Sequence, residues 1–106
     1  MTILIVHCEL NRSDAKSHKS RLTVLAKEIQ KGRRSEQISS NGCIFFIQTP
    51  ESADAFAARL IKHSVMSEEN DRLAVINVSQ GRTYIWGNFD TELKSKFPFV
   101  FEYLSI

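Results

Sequence analysis

The sequence predicts an α+β fold in which one antiparallel sheet carries two helices on a single face. Three observations lead there. Short apolar runs of strand length recur at residues 3–8, 43–48, 73–78 and 82–86. Two stretches between them repeat apolar residues at helical spacing. The elements therefore run β-α-β-β-α-β, followed by one more strand and an apolar tail.

Residues 3–8 form a continuous apolar run, which suits a strand at the centre of a sheet. Polar, turn-favouring residues 9–14 then break the pattern. From 15 to 31, Leu22, Leu25, Ala26 and Ile29 recur at i, i+3, i+4 and i+7, and Gly32 stands where a glycine would end that helix. A short polar strand around Gln37 and Ile38 and an apolar one at 43–48 flank Asn41-Gly42, a hairpin signal because both residues tolerate positive φ. Thr49, Pro50 and Glu51 read as the start of a second helix, Thr49 as its cap. Ala53, Phe56, Ala57, Leu60 and Ile61 give that helix one apolar stripe, running to about Val65. Strands follow at 73–78 and 82–86, then a short helical stretch at 91–96. Phe99, Phe101 and Tyr103 alternate, as a strand laid against this sheet or a partner's does.

This order is that of the ferredoxin-like split βαβ unit. We expect one domain over residues 1–106, with its core at 3–87 and its tail, 88–106, at a dimer interface. A chain of 106 residues with 42% hydrophobic and 25% charged side chains leaves no room for a second domain or an enclosed cofactor cleft. No apolar run reaches the ~20 residues a membrane-spanning helix needs, and residues 1–6 lack the basic start of an export signal. A cytoplasmic protein is expected. Cys8 and Cys43 then read as two buried reduced thiols; a disulfide requires their strands to be neighbours with aligned Cβ atoms. No Gly-rich phosphate loop, dinucleotide fingerprint or nucleophile elbow occurs, so neither a dinucleotide cofactor nor triad hydrolysis is expected.

Charge is uneven. Residues 12–34 hold eight basic and two acidic side chains, a net +6, against −4 for the remainder. This is either a solvated helix face or a phosphate-binding surface. In the second case Arg12, Lys16, Lys19, Arg33 and Arg34 are the candidate nucleic-acid contacts, the paired arginines foremost because a guanidinium forks onto phosphate oxygens. His7 and Glu9 end the first strand, where a rigid backbone carries side chains to solvent. They are the candidate catalytic pair, with Glu9 as a cation ligand; two carboxylates related by a dimer axis can share one ion. His18 lies in the first helix, and His63, late in the second beside Leu60 and Ile61, has no evident partner.

The residues His7-Cys8-Glu9-Leu10-Asn11, the stretch from Ile44 through Ala53, Asp71-Arg72-Leu73-Ala74-Val75 and Tyr84-Ile85-Trp86-Gly87 are similar to a known pattern. Over about residues 3–87 the chain resembles the superfamily of the small CRISPR-associated protein numbered two, virulence-associated protein D and the SinR-like proteins, the SinR-like branch most. The resemblance implies a ferredoxin-like homodimer whose last strand crosses to its partner. In some members it implies a metal-dependent nuclease with an Asp at the end of the first strand. Glu9 stands at that position, one methylene longer.

The expectation is thus a homodimeric endonuclease acting on RNA or DNA with Mg²⁺ or Mn²⁺. The alternative is a catalytically inactive dimer of the same fold that holds a protein or nucleic acid. A small-ligand sensor is a third reading, because the fold hosts unrelated functions.

Overall fold

The computed structural model describes residues 1–11, 15–38, 43–64, 66–89 and 101–104. Its elements are β1 (Thr2–Glu9), α1 (Ala15–Gln30), β2 (Arg34–Gln37), β3 (Cys43–Thr49), α2 (Ala53–His63), β4 (Arg72–Asn77), β5 (Arg82–Gly87) and β6 (Phe101–Tyr103). The six strands form one sheet in the order β2-β3-β1-β4-β5-β6. All pairings are antiparallel except β5 with β6, which is parallel. The fold is a mixed α+β arrangement of one sheet and two helices.

Alternation decides what each strand buries. Leu4, Val6 and Cys8 of β1 point to one face, and Ile5, His7 and Glu9 to the other. Register carries the first set into line with Cys43, Phe45 and Ile47 of β3 and with Leu73 and Val75 of β4. Leu25 and Ile29 of α1 and Phe56 and Leu60 of α2 close over this face in one buried cluster. Each such side chain removed from water contributes roughly 1.5–3 kcal/mol before entropy is counted. Trp86 joins the cluster beside Leu73, although its Nε1 has no hydrogen-bond partner among the described residues.

The opposite face is apolar at its centre and carries neither helix. Ile5 lies between Phe46 and Ile76, and His7 between Ile44 and Ala74. Ile3 and Phe46 are exposed there, at 37% and 44% of their surface. Towards β5 the same face is covered, because Thr83 and Ile85, opposite Ile76 and Ala74, are buried.

Local chemistry moves several boundaries. The cap of α2 is Ser52, whose hydroxyl accepts from the Ala55 N–H, and not Thr49. Thr49 instead ends β3 fully buried, and its hydroxyl donates to Glu51. The polar neighbour of β3 begins at Arg34, which places that arginine in a strand rather than in a loop. Gly32 does follow α1 with φ +65°, as a terminating glycine should. Gly87 has φ +104°, and a Cβ there would lie 2.1 Å from the Asp71 carbonyl oxygen. That contact admits only glycine. The last strand, β6, runs beside the chain's own β5, with Arg82 paired to Glu102 at 3.2 Å. The expected Asn41-Gly42 turn, the helical stretch at 91–96 and Phe99 lie outside the described residues.

Candidate functional site

The C-terminal end of β1 gathers the candidate catalytic residues. Because the strand alternates, Cys8 turns towards the helices while His7 and Glu9 turn away from them. Antiparallel pairing brings the end of β1 to the start of β3, so Cys8 stands opposite Cys43. The two are joined by a disulfide with a Cα–Cα distance of 5.1 Å. This corrects the expectation of two reduced thiols. The bridge needs β1 and β3 as neighbours in register, which is a property of the sheet and not of either segment alone.

Beyond Glu9 the chain is held by a buried carboxylate. Asp71, with no exposed surface, accepts from the Asn11 N–H at 2.8 Å and the Ser67 N–H at 2.7 Å. Arg21 of α1 reaches the same carboxylate at 3.4 Å and donates to the Asn11 carbonyl at 2.6 Å. One side chain thereby fixes the β1–α1 connection, α1 and the approach to β4. Two hydrogen-bonded backbone donors and a cation compensate the cost of burying the charge.

Around these anchors lies a cavity of about 480 Å³. His7, Glu9, Asn11 and Asn70 give it polar walls, Leu10, Leu22 and Ile44 apolar ones, and Cys8 and Cys43 line it with His18 of α1. Sequence reasoning placed His18 in the first helix and gave it no role; the helix phase turns it towards the end of β1. Glu9 is exposed and makes no ion pair with any described residue, although Arg72 stands opposite it in register. The Arg72 guanidinium lies instead over the Phe89 ring, 5.7 Å from its centre. Among the described residues no group of three or more His, Cys, Asp or Glu side chains is placed to hold a metal ion. Among the described residues that line the cavity, Glu9 is the one that carries a carboxylate.

The basic candidates are divided. Lys16 and Lys19 are exposed on the first turns of α1, beside a shallow depression also lined by Ser20, Thr23 and Val24. Arg34 is exposed on β2 opposite Gln48, at the far end of the sheet from Glu9. The rise along α1 from Lys16 to its end at Gln30 is ~21 Å at 1.5 Å per residue, so the two groups lie towards opposite ends of that helix. Arg12 lies outside the described residues.

Arg33 is turned onto Glu51, with Nε 2.6 Å from Oε1, and also donates to Thr49 and to the Lys31 carbonyl. Arg59 binds Glu51 from the other side at 2.9 Å and reaches Glu28 of α1 at 2.8 Å. This four-residue network clamps the end of α1 to α2. Burial pushes the Glu51 carboxyl up, but hydrogen bonds from Arg59, Arg33 and Thr49 outweigh it and hold the pKa down at about 2.

No described helix is long and apolar enough to cross a membrane. No protein-family model, curated protein or solved structure matches the chain.

Proposed function

We propose that the protein is a homodimer of ferredoxin-like protomers that cleaves nucleic-acid phosphodiesters with a divalent cation held by Glu9. The exposed Glu9 carboxylate carries this reading: it ends the central strand, lines the cavity with His7, and forms no ion pair with any described residue. A strand order of β2-β3-β1-β4 under two helices supports the ferredoxin-like arrangement. So does the resemblance of residues 3–87 to the superfamily of CRISPR-associated protein two, virulence-associated protein D and the SinR-like proteins.

The open sheet face supports the dimer. Ile3, Ile5, Phe46 and Ile76 form an apolar surface that a second copy would cover, and a two-fold axis would add that copy's Glu9. Mg²⁺ or Mn²⁺ suits a hard carboxylate oxygen with water filling the other positions. When bound, the cation would polarise the scissile phosphate. Glu9 would hold it, His7 would move a proton at the attacking or leaving oxygen, and Lys16 and Lys19 would steady the phosphate backbone.

A second reading, a dimer that binds but does not cut, is favoured by one observation. Arg33, foremost among the expected phosphate contacts, is occupied by Glu51, which takes it from a nucleic acid and favours a dimer that holds a protein.

The test is cleavage of single- and double-stranded RNA and DNA with Mn²⁺ or Mg²⁺, by the parent chain and by Glu9→Gln. Cation-dependent cutting that Glu9→Gln lowers at least 100-fold is expected. No cutting of any substrate, or cutting indifferent to Glu9→Gln, removes the nuclease reading and leaves the binding dimer.

A further inference from the structure

The Cys8–Cys43 disulfide joins two positions that the sheet already holds together. The β1–β3 ladder runs in unbroken register from Thr2↔Thr49 to Cys8↔Cys43, and the bridge sits at its last pair. A purely structural staple gains nothing from contact with a cavity. Here both cysteines, although almost wholly buried, form part of the wall of one. The cavity's 480 Å³ falls within the usual range for small-molecule sites, about 300–1,000 Å³. Its lining includes the side chains of His7, His18 and Asn70.

We propose that Cys8–Cys43 is a thiol-exchange site, opened by low-molecular-weight thiols that enter this cavity and closed again by the corresponding small-molecule disulfides. A thiolate attacks one sulfur, the Sγ–Sγ bond breaks, and a mixed disulfide forms with the incoming sulfur. The other cysteine leaves as a thiolate and takes a proton from water. A second thiol then attacks the mixed disulfide, releasing the small-molecule disulfide and leaving two protein thiols. Two small thiols thus supply the two electrons and two protons. Opening the bridge frees the last rung of the ladder, immediately beside Glu9 and the β1–α1 connection.

The inference goes beyond the nuclease reading and does not depend on it. The oxidised full chain is incubated with reduced glutathione in native buffer, quenched with iodoacetamide and weighed intact. A glutathione adduct followed by doubly alkylated protein is expected, at a rate that does not change with low urea. A rate that rises with urea in step with global unfolding would mean the bridge is reached only from the unfolded chain, and that result overturns the proposal. Ile44→Trp, a change on the partly exposed wall, narrows the cavity and should slow exchange at least tenfold; an unchanged rate also overturns it. Hydrogen exchange supplies a second readout. Amides of residues 7–10 and 43–45 should exchange at least tenfold faster after reduction, and unchanged protection there counts against an opened rim.

Discussion

At the N-terminal end of β1, where Thr2 faces Thr49, the neighbouring charges are bound to one another: Arg33, Glu51, Arg59 and Glu28 form one connected set. At the C-terminal end the acidic groups are divided. Asp71 is buried and bonded on every side, while Glu9, one strand away, stands in solvent opposite an arginine that has turned to a phenylalanine. The same kinds of side chain therefore do different work at the two ends. Where carboxylate and guanidinium close on each other they fix helices and connections. Where a carboxylate is left open beside a cavity, it remains available to a ligand.

The comparison can be broken by substitution, beginning with the most tightly held group. Asp71→Ala removes the acceptor of two backbone N–H groups and the partner of Arg21. It should lower unfolding stability by about 3 kcal/mol in a urea titration. A loss under about 1 kcal/mol would mean that the β1–α1 connection is held by something else.

Glu51→Gln should cost less, about 1–2 kcal/mol at pH 7, because the cluster is partly open to solvent and screened. The sign with pH follows from the lowered pKa. Unfolded, Glu51 binds a proton near 4.5; folded, only near 2. Its contribution is complete above about pH 4.5 and is lost as the pH falls towards 2. The parent and Glu51→Gln stability curves should therefore converge across that window. Curves that stay parallel would show that the ionisation of Glu51 is not what stabilises the network.

The smallest effect is expected at Glu9. Glu9→Gln should leave the urea midpoint unchanged within error, whatever it does to cleavage. A clear destabilisation would make Glu9 one more structural carboxylate and erase the difference between the two ends.

How much of this was readable beforehand depended on distance along the chain. Leu22, Leu25, Ala26 and Ile29 announce α1 because helix packing repeats within a few residues, and Phe56 and Leu60 do the same for α2. Strand alternation likewise separates Leu4 and Val6 from Ile5 and His7. The cap of α2 was misread by three positions because Thr49-Pro50 imitates a helix start, while Ser52 supplies the hydroxyl actually used. His7 and Glu9 do share one rim, as adjacent members of a strand end must. The Asp71 anchor, the disulfide and the Arg33–Glu51–Arg59–Glu28 set join residues from separate elements, and only register and helix placement bring them together. Arg33 illustrates the consequence: a local reading sees an unclaimed cation, whereas the folded chain gives it a carboxylate.

The central position of β1 also governs how the chain must assemble. Leu4 pairs with Ile47 on one side and with Asn77 on the other, so neither neighbour of this strand is nearby in sequence. Loop closure across those spans precedes any reward from the ladder, which puts refolding in the millisecond-to-second class rather than the microsecond class of local helical folds. Until β3 and β4 arrive, the apolar run Ile3-Leu4-Ile5-Val6 has no sheet to enter. In that interval it is the segment of this molecule most prone to pair with another chain.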